Sequence, residues 1–292
     1  MMGKILVTGA NGQLGSELQE LTKGNKSFIF TDIIERGNIK SLDICNADEV
    51  ESFIASNNIT TIVNCAAYTN VNGAESNIEL CDKINVTGPV NLAHSAKRHD
   101  AALIQISTDY VFSGVRKRGS YKEDDHCSPQ SVYGRGKRRC EIAIRRIGCR
   151  GVIIRTAWLY SSYGNNFVKT MLALGASKPE IGVVADQFGT PTYAKDLAKA
   201  ILKIIPQIGD MRGEIFHFTD EGQCSWFDFA AAIMTYAGLN CKVKPLTTAE
   251  YPTPAVRPAY SVLSKTKIRD TFGVDTPWWS SSLKECLKIL LK

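Results

Sequence analysis

Tyr133 and Lys137 lie four residues apart in the segment Val-Tyr-Gly-Arg-Gly-Lys, a spacing that could support proton transfer. A free tyrosine has a pKa of about 10 and is a weak acid at neutral pH. On a helix, residues at this spacing lie one turn apart on the same face, where an ammonium group lowers the pKa of a phenol. Such a pair could protonate an alkoxide. Tyr133 is the only tyrosine of the chain with a lysine at the fourth following position.

A glycine-rich segment near the start of the chain predicts a nucleotide-binding turn. An aliphatic run, Lys4 to Thr8, passes directly into it, and Leu14, Leu18 and Leu21 then recur at helical spacing. In a strand, turn and helix of this kind, glycines allow a tight turn and a close approach of backbone amides to a pyrophosphate, which the helix N-terminus attracts. The glycines of the segment are Gly9, Gly12 and Gly15.

An acidic residue follows the next predicted strand. This strand, Phe28 to Thr31, ends at Asp32, about twenty residues beyond the glycines, where a carboxylate can accept hydrogen bonds from an adenosine ribose. A carboxylate there repels a 2′-phosphate and favours NAD(H), whereas Arg36 just beyond it could accommodate NADP(H). The choice between the two cofactors stays open.

Strands alternate with helical patterns through the first half of the chain, which predicts an α/β fold with a Rossmann-type doubly wound parallel sheet. The further predicted strands are Leu42–Ile44, Ile59–Asn64, Leu103–Ser107 and Val152–Ile154, and the predicted helices begin near Ala47 and near Asn77. Beyond Trp158 the alternation loosens and prolines accumulate. We therefore expect a dinucleotide-binding domain in residues 1–157 and a smaller C-terminal substrate-binding lobe in residues 158–292, interleaved with the sheet domain.

Composition excludes several classes of protein. The chain has 292 residues, 44% of them hydrophobic, without the run of about 18 uncharged apolar residues that a membrane helix needs. We expect no membrane partner and a cytoplasmic location. The nine cysteines are odd in number and form no Cys-x-x-Cys pair, so they are expected to be reduced thiols.

Basic residues concentrate in one region, although the formal net charge is only +6. The aromatic residues and motifs of a nucleic-acid-binding protein are missing there, so we expect a solvated face or a funnel for an anionic nucleotide, and no nucleic-acid partner. The basic residues are Arg116, Lys117, Arg118, Arg135, Lys137, Arg138, Arg139, Arg145, Arg146 and Arg150.

The predicted topology brings the chemical groups together, because ligands of open α/β sheets bind beyond the carboxyl ends of the strands. Gly12, the segment Ala66–Thr69, Thr108 and Tyr133 should meet there. A nicotinamide would deliver hydride to a substrate carbonyl carbon while Tyr133 protonates its oxygen and Thr108 hydrogen-bonds that oxygen or the phenol. Lys137 would lower the pKa of the phenol. Structural roles are the alternatives: Thr108 could cap a strand, Asp109 a turn, and Trp158 could pack in the core.

With these motifs the chain resembles the extended short-chain dehydrogenases and, within them, the dTDP-4-dehydrorhamnose reductases. The resemblance covers nearly the whole chain and is most specific in Ile106–Phe112 (Ile-Ser-Thr-Asp-Tyr-Val-Phe) and Asp186–Thr192 (Asp-Gln-Phe-Gly-Thr-Pro-Thr). The other matching segments are Val7–Gly15, Asn64–Thr69, Val132–Lys137, Arg155–Tyr160, Gly164–Phe167 and Arg257–Pro258.

The resemblance implies reduction of dTDP-4-dehydro-L-rhamnose, a nucleotide sugar, to dTDP-L-rhamnose for surface polysaccharide, with NADPH or NADH. It implies catalytic roles for Thr108, Tyr133 and Lys137. The implied cofactor-binding residues are Gly9, Gly12, Gln13, Leu14, Gly15, Asp32, Asp43, Ile44, Ala67, Tyr68, Thr69, Tyr133 and Lys137. The implied substrate-binding residues are Thr108, Asp109, Trp158, Asn166, Gln187 and Arg257. Some members bind Mg²⁺ at a homodimer interface, near the position of Glu17.

The sequence departs from the family pattern at several positions. Asn72 and Gly73 replace the usual acid and lysine, and Gly136 stands where a hydroxyl residue is common. Two other functions stay open. One is a non-catalytic NAD(P)-binding subunit, similar to the regulatory beta subunit of methionine adenosyltransferase. The other is an epimerase or dehydratase acting on a different nucleotide sugar, for which Asp109 could supply the extra acid.

Overall fold

The computed structural model describes residues 3–116 and 118–292. Lys117, one of the basic residues in the predicted cluster, lies outside these ranges. Within them, no helix has both the length and the apolar character needed to cross a membrane. All nine cysteines are free thiols.

A parallel sheet forms the centre of the protein. Over the described ranges it contains seven strands in the order β3-β2-β1-β4-β5-β6-β11. The strands of the protein, in chain order, are β1 (Lys4–Thr8), β2 (Phe28–Asp32), β3 (Lys40–Ser41), β4 (Ile59–Asn64), β5 (Ala102–Thr108), β6 (Gly151–Thr156), β7 (Leu159–Tyr160), β8 (Glu180–Val184), β9 (Phe188–Gly189), β10 (Thr192–Tyr193), β11 (Arg212–His217), β12 (Cys224–Ser225) and β13 (Lys242–Leu246). The strand order reverses between β1 and β4, which opens a crevice at their carboxyl ends.

Helices cover both faces of this sheet. They are α1 (Gln13–Leu21), α2 (Ala47–Asn57), α3 (Val71–Ala74), α4 (Ile78–Asp82), α5 (Gly88–Arg98), α6 (Val132–Ile147), α7 (Phe167–Ser177), α8 (Ala194–Ile204), α9 (Trp226–Ala237), α10 (Thr266–Phe272) and α11 (Trp279–Leu290). Alternate strand residues point to opposite faces. Val7 therefore packs with Leu18 and the helices α1, α8 and α10, whereas Leu6 packs with Leu92 and the helices α2, α5 and α6. The predicted doubly wound α/β sheet is confirmed.

One predicted strand is wrong. Residues 42–44 were expected to be extended, but β3 ends at Ser41. The Asp43 carboxylate accepts a hydrogen bond from the backbone N–H of Cys45 at 2.9 Å, which turns the chain away from the sheet edge and toward α2. A side chain that bonds the backbone two residues on competes with strand pairing.

The C-terminal part of the chain forms a second apolar core. Helices α7, α9 and α11 enclose Met171, Phe229 and Leu283 beside the parallel pair β8 and β13. The chain returns to the central sheet before this lobe is complete, because α8 packs on α1 and β11 pairs with β6. The division at residues 157 and 158 stays a prediction.

Helix α6 has clear boundaries that follow from its sequence. The Ser131 side chain accepts the N–H of Gly134 at 3.1 Å and caps the N-terminus. Gly148 ends the helix in the left-handed conformation at φ 67°, which glycine adopts without steric cost. Gly136 lies inside the helix, where a glycine costs conformational entropy.

We expect Gly136→Ala to raise the free energy of unfolding by about 0.5–1 kcal/mol. An added Cβ would lie 3.5 Å from Asp82 Oδ1, an ordinary contact distance. Gly15→Ala is the matched control, because its Cβ would lie 2.5 Å from Gly9 O and force α1 away from the sheet. Urea unfolding of both variants tests this difference; a destabilised Gly136→Ala protein would contradict it.

Candidate active site

A crevice of about 700 Å³ opens at the carboxyl ends of the central strands and extends to the C-terminal lobe. Most of the residues predicted from the sequence line it. They are Gly9, Gly12, Gln13, Leu14, Asp32, Asp43, Ile44, Ala67, Thr69, Thr108, Asp109, Tyr133, Lys137, Trp158, Asn166 and Arg257. Gly15, Tyr68, Gln187 and Glu17 were also predicted and do not line it.

The glycine turn is shaped for close approach. Gly9 has a φ of +67°, and a Cβ there would lie 2.5 Å from the backbone nitrogen of Ala66, so only glycine fits without strain. Gly12 precedes α1 and gives it no side-chain cap, which leaves its first N–H groups facing an anion site. Gly15 packs α1 against the turn at Gly9 and Ala10 and does not line the crevice. The turn therefore fits a pyrophosphate.

Asp32 lies at the rim of the crevice in a fixed orientation. One carboxylate oxygen accepts the N–H of Asn11 at 2.9 Å, and the other accepts the N–H of Ile33 at 2.8 Å. This placement fits hydrogen bonding to the hydroxyls of an adenosine ribose. Arg36 is exposed and lines a neighbouring depression together with Lys40, outside the crevice.

Tyr133, Lys137 and Thr108 come together as predicted. The Lys137 ammonium donates a hydrogen bond to the backbone oxygen of Ile106 at 2.6 Å. Burial lowers the pKa of Lys137. Burial is the largest cause of a raised pKa of Tyr133, and the neighbouring Thr108 hydroxyl opposes this shift only in part. The net pKa shift of Tyr133 is thus opposite to the expected lowering by Lys137, because desolvation dominates and the ammonium is bonded to Ile106.

Asp109 is a buried acid beside this group. Thr108 Oγ1 donates to its Oδ1 at 3.1 Å, while Oδ2 is buried and has no hydrogen-bond partner within the described ranges. Burial raises the pKa of Asp109 from 3.8 to about 6, although the neighbouring Ser261 and Thr108 hydroxyls act in the opposite direction. Asp109 lines the crevice. Its carboxyl group is ionised above about pH 6 and protonated below it.

Aromatic rings form the wall contributed by the C-terminal lobe. Trp158 adopts a φ of +49° and stacks on Trp226 with 3.5 Å between ring centroids. Both rings line the crevice and are half-buried. Trp226 was missed from the sequence. Its segment shows only a helix start, the Ser225 and Asp228 capping box, and nothing local links that helix to the crevice.

Two polar contacts connect the lobe to the sheet domain. Asn166 Nδ2 donates to Gln13 Oε1 at 3.0 Å, which joins α7 to the glycine turn. Arg257 Nη1 donates to the hydroxyl of Tyr110 at 3.0 Å. Tyr110 also lines the crevice and packs edge-on against Tyr133. No sequence pattern indicates this position.

Two predicted ligand-binding residues have other contacts. Gln187 is buried, and its Nε2 donates to Thr248 Oγ1 at 3.0 Å, so it holds a loop of the lobe. The backbone of Tyr68 forms two hydrogen bonds with the Asn85 side chain, at 2.9 and 3.0 Å. Its side chain packs against the small apolar cluster of Ala74, Cys81 and Val132 and does not line the crevice.

The surroundings of Glu17 do not fit a magnesium ion. Glu17 is buried, accepts the Ser161 hydroxyl at 2.5 Å, and has a pKa raised by burial. Lys195, whose charge also acts on Glu17, is bonded to Glu285 at 2.6 Å. No group of three or more His, Cys, Asp or Glu side chains in the described residues could hold a metal ion. The predicted Mg²⁺ site is not supported.

Comparison with known proteins gives consistent matches over the full length. The family model of the RmlD substrate binding domain matches residues 2–292. The chain is 42% identical to a dTDP-4-dehydrorhamnose reductase of Aggregatibacter actinomycetemcomitans, covering 97% of this chain and 98% of the relative. A crystal structure of a dTDP-4-dehydrorhamnose reductase from Clostridium acetobutylicum superposes with a TM-score of 0.92 at 44% identity, covering 99% and 100% of the two chains. That of Bacillus anthracis, in complex with NADP, gives 0.90 at 38% identity, with the same coverage.

The raised pKa of Asp109 predicts a pH dependence of stability. Because the folded protein binds this proton more tightly than the unfolded chain, the free energy of unfolding falls as the pH rises from about 4 to about 6, and the loss persists at pH 7. The shift from 3.8 to about 6 corresponds to about 3 kcal/mol. Between about pH 4 and pH 7, the free energy of unfolding in urea should fall by about 2–3 kcal/mol less for Asp109→Asn than for the wild type. Equal pH dependence in both proteins would contradict a buried, ionising Asp109.

Proposed function

We propose a function for this chain from one premise: it belongs to the RmlD substrate binding domain family, whose model matches residues 2–292. The proposed reaction is the NAD(P)H-dependent reduction of the 4-keto group of dTDP-4-dehydro-L-rhamnose to dTDP-L-rhamnose. One observation carries the proposal. The Tyr133, Lys137 and Thr108 side chains meet in the crevice that contains the glycine turn and Asp32. Relatives that share this chain's full length are named dTDP-4-dehydrorhamnose reductases.

The chain's own residues fit a dinucleotide. The turn at Gly9 and the uncapped N-terminus of α1 would hold the pyrophosphate, and Asp32 would accept hydrogen bonds from the adenosine ribose. When bound, the reduced nicotinamide supplies the hydride. Asp32 favours a free 2′-hydroxyl, whereas the relative from Bacillus anthracis binds NADP. These two observations favour different cofactors, so the assay compares NADH with NADPH.

Tyr133 is proposed to donate the proton to the substrate oxygen. Its raised pKa keeps the phenol protonated at neutral pH. A developing alkoxide is far more basic than a phenolate, so the proton moves only as the carbonyl is reduced. Thr108 would hydrogen-bond the phenol or the substrate oxygen, and Lys137, one helical turn from Tyr133, would bring a positive charge to the same crevice.

The lobe side of the crevice suits a nucleotide sugar. Arg257 places a guanidinium at the crevice wall, where it could bind the diphosphate. The Trp158 and Trp226 rings give an apolar surface for a deoxysugar. Asp109 lines the same crevice, and its carboxyl group could accept a hydrogen bond from a sugar hydroxyl once a small rearrangement exposes it. The cytoplasmic location and the homodimer stay predictions from the sequence.

Tyr133→Phe is expected to lower kcat/KM by about 10²–10⁴-fold, because the proton donor is lost. Binding of NAD(P)H, measured by its fluorescence, should stay within a few-fold of the wild type. The assay combines the protein, NADPH or NADH, dTDP-4-keto-6-deoxyglucose and the preceding epimerase, and follows the loss of nicotinamide absorbance. Tyr236→Phe, on the exposed surface of α9, is the matched control and should keep the full rate.

Different outcomes would identify the alternative functions. A wild-type protein that binds NAD(P)H but oxidises it with no keto-sugar nucleotide would indicate a regulatory subunit. Conversion of a sugar nucleotide without net consumption of cofactor would indicate an epimerase or dehydratase. A Tyr133→Phe protein that keeps most of its rate would remove Tyr133 as the proton donor.

A further inference from the structure

A buried polar network that includes Glu141 of α6 adjoins the crevice, and its member Ser107 also lines the crevice. Glu141 is completely buried. Its Oε1 accepts hydrogen bonds from Ser107 Oγ at 2.6 Å and from Arg155 Nε at 2.8 Å. Its Oε2 accepts from Arg155 Nη2 and from Arg138 Nη1, both at 2.8 Å. These bonds lower the pKa of Glu141 against the effect of burial, so the carboxylate is charged.

Arg155 on β6 is the centre of this network, and all of its N–H groups have partners. Besides Glu141, its Nη1 reaches the backbone oxygen of Glu123 and His217 Nε2, both at 3.3 Å. Its Nη2 also reaches Cys127 Sγ at 3.4 Å. A guanidinium has five donors in a rigid fork. The position of Arg155 on β6 is therefore fixed by β11, by α6 and by the loop before α6, and Glu141 is bound to that fixed point.

Three successive turns of α6 face one strand, β5. Lys137 donates to the backbone oxygen of Ile106, and Glu141 accepts from Ser107. Tyr133, one turn earlier, lines the crevice next to Thr108, whose hydroxyl acts on the pKa of the phenol. The apolar residues of the same helix, such as Cys140 and Ile144, also pack on the sheet. Apolar contact is non-directional, whereas the bonds of Glu141 have fixed lengths and angles.

A buried ion pair is weak evidence for stability, because desolvation offsets most of the attraction between the charges. Its geometry is the more informative property. Ser107 directly precedes Thr108, and Glu141 lies one turn after Lys137 and two turns after Tyr133. A shift of α6 along β5 would break the contact between Glu141 and Ser107, and it would move the Tyr133 hydroxyl away from Thr108.

We propose that Glu141 and Ser107 are positioning residues for the reaction: they fix α6 along β5 and so hold the Tyr133 phenol against Thr108. This proposal rests on the proposed function, in which Tyr133 is the proton donor. The two residues act through Tyr133 and Thr108. Neither exchanges a proton with the substrate.

The test uses Ser107→Ala in the full-length protein, because removing Glu141 leaves the buried Arg155 charge unpaired and can prevent folding. Ser107→Ala removes one neutral donor. We expect kcat to fall about tenfold through misplacement of the phenol, with KM for NAD(P)H unchanged within about twofold. Ser107→Thr keeps the hydroxyl and should retain the wild-type kcat within about threefold.

Ser282→Ala is the matched control. Ser282 is buried to nearly the same degree as Ser107, 3% against 4% exposed, and its hydroxyl donates to the Asp196 carboxylate at the same 2.6 Å. It lies on α11, outside the crevice lining. This variant should lose comparable stability and keep the wild-type kcat. Equal effects of Ser107→Ala and Ser282→Ala on kcat would overturn the proposal, as would a Ser107→Thr protein as slow as Ser107→Ala.

Hydrogen exchange gives a readout that does not depend on turnover. In Ser107→Ala the amides of residues 133–137 should exchange faster than in the wild type, while those of α8 should not change; Ser282→Ala should leave residues 133–137 unaffected. Unchanged exchange in Ser107→Ala would overturn the positioning role. A wild-type protein without reductase activity would instead refute the proposed function. The hydrogen-exchange comparison would still test the positioning role, because it does not depend on turnover.

Discussion

The dry interface between α6 and β5 is the constraint on which the rest of the site depends. A tyrosine, a lysine and a glutamate must all be placed against one strand of a hydrophobic sheet, and each must find a partner there. Unpaired polar groups in such an interface are costly. The helix can therefore dock in few positions. The position observed puts the phenol at the carboxyl end of the strands, where the glycine turn and the lobe also meet.

Burial also affects the protonation state of the proposed proton donor. The sequence suggests that Lys137 makes Tyr133 more acidic, yet desolvation raises the pKa of Tyr133 and lowers that of Lys137. A phenol with a raised pKa is protonated at neutral pH, which is the form that the proposed proton donor needs.

The parts of the fold and of the site that can be predicted from the sequence are those that short segments of the chain determine. The turn at Gly9, the acid at Asp32 and the pair on α6 are specified by short segments, and the sheet that collects them follows from the alternation of strands and helices. Trp226 and Tyr110 reach the crevice only through tertiary packing, so no spacing pattern reveals them. For the same reason Gln187 was assigned to the substrate although it binds a loop of its own lobe.

The two parts of the chain are coupled at the place where the reaction would occur. Gln13 belongs to the glycine turn, and its side chain accepts a hydrogen bond from Asn166, which also caps α7 of the lobe. Arg257 and Tyr110 form a second connection beside Tyr133. A change in the lobe position would therefore disturb both the turn that would hold the pyrophosphate and the surroundings of Tyr133, the proposed proton donor. Because hydride and proton must reach adjacent atoms of one carbonyl, such coupling keeps both donors aligned on the same substrate.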